Sequence, residues 1–176
     1  MNKSVLLLMF AALLSNCMSF SDRSMRPMRD SISAQMPEIE LEKEMAIALG
    51  GGMFNFLDII SLSEAELSEV DHLQMAVYQV HPRGSDTNFS DEVFQESLQA
   101  KDASLTWERI VRVREKDEQV WVYVGMDLER QELVAVSVFV VERDELVMIN
   151  MDGDLNEMLK YAFAPARGHR GAYKSG

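Results

Sequence analysis

The side chains in this sequence best suited to hold a metal or attack an electrophile are three histidines, one cysteine and 29 carboxylates. His72, His81 and His169 are too far apart for a shared local site, and neither His-x-x-x-His nor His-Glu-x-x-His occurs. Zinc held by closely spaced imidazoles is not expected, and the three read as surface or loop residues. A nucleophilic cysteine needs a folded pocket and a base, whereas Cys17 sits at the edge of a leader-like segment. As the single cysteine it also excludes an internal disulfide and a multi-cysteine metal site. A serine nucleophile on a Gly-x-Ser-x-Gly elbow is absent as well.

Asp86-x-Asn88-x-Ser90 and Asp152-x-Asp154-x-Asn156 have the opening spacing of a calcium loop. The first carries Asp91 where the loop needs glycine and Ser97 where it needs glutamate, and the second ends on Phe163. Helix capping by Ser90 and Asp154 accounts for both. Gly50-Gly51-Gly52 precedes a helical pattern but lacks the Lys-Ser/Thr of a phosphate loop, so a turn needing positive φ explains it. Met18, Met25, Met28 and Met36 could hold Cu(I) through thioethers. Incidental methionine is the simpler reading in a chain with 13 of them. Arg112 and Arg114 alternate on a strand pattern and could take an anion, although cross-strand pairing with Asp117, Glu118 or the acids near the 120–124 strand is the expected use. Carboxylate pairs for glycoside cleavage are too numerous to single one out. No catalytic, cofactor-binding or metal-ligating residue is expected.

What must position these residues begins with a leader. Lys3 gives a basic start, and Ser4 to Leu14 is an apolar run of 11 residues. Spanning a bilayer takes about 20, so the run suits a signal peptide instead. Leu14-Ser15-Asn16-Cys17 resembles a bacterial lipoprotein box, with Asn16 where Gly, Ala or Ser is usual. That resemblance implies lipidation of Cys17. Met18 rather than Asp at the next position implies the outer membrane. Cleavage near Ser19 or Ser21 and simple secretion is the competing reading.

Four segments follow: a signal peptide with lipoprotein box over 1–17, a flexible linker over 18–37, one α+β domain over 38–163 and a basic disordered tail over 164–176. The linker is rich in Ser, Arg and Met, with Pro27 and Pro37. Arg23, Arg26 and Arg29 could touch anionic headgroups there. The domain carries 27 acidic against 10 basic side chains, within a net charge of -12 for the whole chain. So acidic a body repels phosphate backbones, so nucleic acid is not an expected partner. Hydrophobic residues at 47% and charged residues at 26% fit a globular domain.

Ile39 to Leu49 alternates between apolar residues and glutamates, which predicts a strand. Met53, Phe56, Leu57 and Ile60 recur at helical spacing, with capping boxes from Ser61 and Ser63 extending the pattern to about Val70. Leu73 to His81 predicts a second strand. Ser90 caps a helix to about Lys101, with Phe89 and Phe94 placed as a hydrophobic staple. Strands are then expected over 107–114, 120–124, 133–141 and 146–151, and a last helix from Asp154 to Pro165. The order is β-α-β-α-β-β-β-β-α. It predicts a two-layer α+β sandwich with a mostly antiparallel sheet and helices mainly on one face. The β-α-β start is also compatible with a ferredoxin-like arrangement. Val120–Val124 and Leu133–Val141 are apolar at nearly every position, so both faces of the sheet need cover. Two helices can cover one face, leaving the other to the short last helix or the linker alone, or to the last helix with a partner, a lipid or a second copy.

Trp107-Glu-Arg-Ile-Val, Val120-Trp-Val-Tyr-Val, Leu133 to Val141 and Glu145 through Gly153-Asp-Leu155 together resemble the bacterial domain-of-unknown-function family 4252. The order of elements over roughly residues 38–163 agrees. The resemblance implies a small exported, often lipoprotein-like protein, and it implies no active-site residue. The expected function is a non-enzymatic envelope role, with a lipid anchor at Cys17 and a protein partner bound on an apolar sheet face. A carrier of a small apolar ligand or lipid, and a hydrolase, are the alternatives.

Overall fold

The computed structural model describes residues 18–19, 21–50, 70–82 and 88–156. Its elements are β1 (Met18–Ser19), α1 (Arg26–Gln35), β2 (Ile39–Gly50), β3 (Val70–Pro82), α2 (Asp91–Lys101), β4 (Thr106–Arg114), β5 (Glu118–Asp127), β6 (Glu132–Glu142) and β7 (Glu145–Gly153). One sheet takes all the strands in the order β1-β2-β3-β7-β6-β5-β4, and every neighbouring pair is antiparallel. The α+β class and the antiparallel sheet are as expected. β2 and β3 are direct antiparallel neighbours, so the start is not the parallel β-α-β crossover of a ferredoxin-like fold. From β3 the chain crosses through α2 to the far edge, and the meander β4-β5-β6-β7 brings it back beside β3.

The expected linker over 18–37 is the main correction. Met18 and Ser19 pair with Leu49 and Ala48, and Arg26–Gln35 is a helix whose Met28 and Ile32 are fully buried. Met25 and Met36 are buried with them. These four apolar residues recur at steps of three and four, which is helical spacing. Pro27 stands in the first turn, where its missing N–H costs nothing. The Ser- and Arg-rich composition comes from the wet face of that helix. Asp22 anchors the entry: it is 4% exposed, accepts from Arg29 at 2.9 Å and from the Tyr78 hydroxyl at 3.4 Å, and lies 3.9 Å from Lys43 Nζ. Arg29 is thereby committed within the fold. Burial and the neighbouring Asp22 charge push the Tyr78 hydroxyl far above the ordinary tyrosine range.

α2 forms where its N-terminus is capped. Ser90 Oγ accepts from Val93 N at 3.5 Å, and Asp91 and Glu92 occupy the first turn. The Phe89 and Phe94 rings stack at 5.6 Å, as a staple does. Phe94 then drives into the sheet, 4.2 Å from the Phe139 ring and 4.7 Å from that of Trp121. α1 and α2 lie side by side, with Gln35 Nε2 donating to Val93 O at 3.3 Å. The expected helix lies outside the described residues over 53–69, while Val70, its expected end, begins β3 instead; the tail over 164–176 and the leader over 1–17 also lie outside them. Of the expected last helix, Leu155 and Asn156 are described and helical.

Gly125 lets the Trp107 ring approach β5 closely. A Cβ there would meet Trp107 at 2.9 Å and Ala135 Cβ at 3.1 Å. Gly125→Ala is expected to destabilise the fold by roughly 1–3 kcal/mol through overpacking. Urea unfolding read by Trp fluorescence checks this. An unchanged midpoint would mean that the ring has room to move.

Candidate functional site

In an antiparallel pair, residues directly opposite share a face. Following the register strand by strand gives three rows. Val111, Val122, Val138, Ile149, Met75 and Ile47 form one unbroken line across β4, β5, β6, β7, β3 and β2. Val113, Val120, Val140, Val147, Val77 and Met45 form the second. Glu108, Val124, Val136, Met151, Leu73 and Leu49 form the third. One member, the corner residue Glu108, is charged and the rest are aliphatic or Met. The opposite face holds Trp121, Tyr123, Phe139, Leu146, Met148 and Tyr78, all buried under α1 and α2. The hydrophobic core draws its members from that helix side and takes none from the three rows. Among the described residues neither helix lies over the rows. Val111 and Val113 at the margin are 41% and 43% exposed, and most of the interior members are half-buried by their own neighbours. With strands about 4.8 Å apart and rows about 6.7 Å apart, the patch covers roughly 500–600 Å². That is the upper end of what a soluble monomer exposes as one apolar surface.

The helix side carries the polar ties. Asp91, the first residue of α2, accepts from Trp121 Nε1 at 2.7 Å and from Arg112 at 3.1 Å, and pairs closely with Arg109. The hydrogen bond from Arg109, followed by that from Trp121, holds the Asp91 carboxyl below its usual range. Burial and the Asp91 charge push the Tyr123 hydroxyl up to about 12, and it donates to Asp91 O at 3.2 Å. A second chain runs from the buried Ser137, whose Oγ donates to Asn150 Oδ1 at 2.5 Å. Asn150 Nδ2 donates to Asp152 at 2.8 Å, and Lys101 Nζ donates to the same carboxylate oxygen at 3.2 Å. This chain ends at an open cavity of about 460 Å³ lined by Lys101, Asp102, Arg130, Glu132, Asp152 and Asp154 among others. Ser137 donates to the Asn150 amide, and the Asp152 carboxylate stands one residue further along this hydrogen-bonded chain rather than in contact with the hydroxyl.

The residues singled out from sequence fall into place as follows. Arg112 pairs with Asp91, and Arg114 donates to Asn88 Oδ1 at 3.2 Å, in place of the expected Asp117 and Glu118. β4 tilts its arginines onto the N-terminus of α2, where a fixed carboxylate and a helix cap lie within reach. His81 sits 3.0 Å from Glu42 at the exposed end of β3, and His72 lies at its other end. Asn88 and Ser90 serve Arg114 and the α2 cap, while Asn156 Oδ1 accepts from Leu133 N at 3.3 Å. Among the described residues no group of three or more His, Cys, Asp or Glu is placed to hold a metal. Met25, Met28 and Met36 are core side chains. Cys17, Asp86 and His169 lie outside the described residues.

Residues 40–158 match the family described as Domain of unknown function (DUF4252). The chain belongs to that family. No curated protein and no solved structure matches it. The DUF4252 span opens within β2 and closes just past β7, so it contains all three rows of the apolar face. It excludes α1, although α1 supplies Met28 and Ile32 to the same core.

The lowered Asp91 pKa sets a pH dependence. A carboxylate depressed by folding contributes stability that is complete above its unfolded value, near 3.8, and is lost as pH falls through the folded value. Asp91→Asn keeps a Trp121 acceptor but loses both arginine pairs, and is expected to cost about 1 kcal/mol near neutral pH. That gap is expected to shrink below about pH 4, where Asp91 of the unfolded wild-type chain begins to protonate while the folded carboxylate is still ionised. Urea midpoints of both proteins across that range check it, and a gap independent of pH would refute it.

Proposed function

We propose that this DUF4252 chain is a non-enzymatic protein of the cell envelope, anchored through a lipid on Cys17, that binds a protein partner on the open face of its sheet. One observation carries the binding role: the register aligns 17 apolar side chains into three rows over six strands, with no described element above them. Apolar surface of that extent is unfavourable in water and marks an interaction site. The cavity at the end of the sheet is lined by charges of both signs, which suits an apolar ligand poorly, so a protein partner is favoured over a lipid cargo. The Ser137 hydroxyl donates to an amide rather than to a carboxylate, which favours binding over hydrolysis.

The address is supported by the leader. Ser4–Leu14 is too short to span a bilayer, and Cys17 follows it. No helix among the described residues is long and apolar enough to cross a membrane. A lipid on Cys17 would hold the sheet edge close to the bilayer, because β1 begins at the next residue.

Two measurements test the proposal. A photo-crosslinking side chain at Val122, Val138 or Ile149 is expected to yield adducts of defined mass in cells. The same probe at Glu92 or Glu96 on the wet side of α2 is expected to yield none, and equal yields would remove the binding role. Cys17→Ala is expected to shift the chain from the membrane fraction to the soluble fraction. Unchanged fractionation would remove the anchor.

A further inference from the structure

We propose that the partner on the open face is a second copy of this chain, packed sheet against sheet about a two-fold axis that passes near Val138 and Ile149. The inference rests on the binding role above and names its partner.

The shape of the surface narrows the choice first. On β3, β7, β6 and β5 the three rows run without a register shift, because the irregularities at Val70/His72 and Gly125/Met126 fall beyond them. The result is a continuous aliphatic sheet face rather than a groove. An extended peptide pairs along an edge, so it does not suit this geometry. A second sheet does, because two apolar sheet faces pack about 10 Å apart with their side chains interleaved. A membrane surface is disfavoured by charge, since a body with 27 acids and 10 bases is repelled by anionic lipid.

Symmetry and area then favour a copy. An isologous interface needs a patch that complements itself, and rows composed mainly of valine do so in either direction. The middle of the grid lies between Val138 on β6 and Ile149 on β7, which are direct partners in the register. Glu108, the one charged member, sits at a corner and would remain on the wet rim. Two patches of roughly 500–600 Å² bury about 1,000–1,200 Å² together, which reaches the size of a small specific interface. Both copies carry the same acidic excess, so their mutual repulsion is screened by salt. The dimer therefore tightens as salt rises, opposite to a complex held by ion pairs.

Sedimentation equilibrium and native mass spectrometry of the full chain, recovered in mild detergent, test the proposal. The expected species has twice the mass of the processed chain, and its dissociation constant falls when salt is raised to about 0.5 M. Val138→Lys is expected to give a monomer with an unchanged circular dichroism spectrum. If that variant does not fold, Val111→Lys at the exposed margin decides, with an expected rise of tenfold or more in the dissociation constant. Glu92→Lys on α2 is expected to leave the dimer intact. A monomer that binds an apolar dye on the open face would overturn the second copy and leave the binding role standing. A monomer whose Val138 and Ile149 region is protected from dye and from hydrogen exchange would overturn both, because the chain's own remaining residues would then cover the face. A dimer indifferent to both lysine substitutions would overturn the proposed interface.

Discussion

The cross-strand register is the constraint on which the rest of this molecule depends. Side chains alternate faces along a strand, so one fixed pairing assigns every residue of six strands to one side or the other. Val138 opposite Val122 and Ile149 commits Phe139 and Met148 to the helix side, and those choices propagate to Trp121, Ala76 and Ala46. A slip of one residue anywhere would exchange the aromatic core for the valine rows. Bulky aromatics occupy one side and β-branched aliphatics the other. Only the first fits beneath two helices, because Phe94 needs the Phe139 and Trp121 rings to complete its contacts.

Polar chemistry on the helix side serves that same register. Asp91 ties the start of α2 to β4 and β5 through Arg109, Arg112 and Trp121, fixing the helix over the aromatic cluster. Asp22 does the equivalent for the segment that leads into α1, reaching Arg29 and Tyr78. Asn150, fully buried, bridges Ser137 and Asp152 and satisfies groups that would otherwise be costly inside. Asp91 and Asp22 each hold an element in place through an arginine, and Asp152 pairs with Lys101. The acidity of the rest of the surface is a property of solubility and repulsion more than of chemistry.

The strands were legible because their signal is local. The alternation of Ile39 to Leu49, the Phe89–Ser90–Phe94 capping pattern and the apolar runs of β5 and β6 depend only on neighbours in sequence. α1 was missed for a physical reason. Its buried face consists of Met25, Met28, Ile32 and Met36, three of them methionines set among serines and arginines, so composition masked the period. The arginine partners were missed because Asp91 is distant in sequence from β4, and a fixed carboxylate at a helix start outcompetes the exposed acids of the nearest turn. The apolar face was half legible. Two strands without a polar side announced that both surfaces need shelter, but the alignment of six strands into rows needs the pairing, which no single strand carries.

The energetic scale of that face limits how it is used. Roughly 500–600 Å² of apolar surface withdrawn from water is worth about 12–15 kcal/mol before the costs of association, comparable with the whole stability of a typical domain. A face of that size left open to water favours face-on association. β4 sharpens the point: it is the outermost strand, nearly all of its residues are exposed, and Ile110 is 58% exposed. Arg109, Arg112 and Arg114 along that strand are the kind of charge that discourages a further strand from adding to the edge. Among the described residues the edge is thus guarded and the face is not.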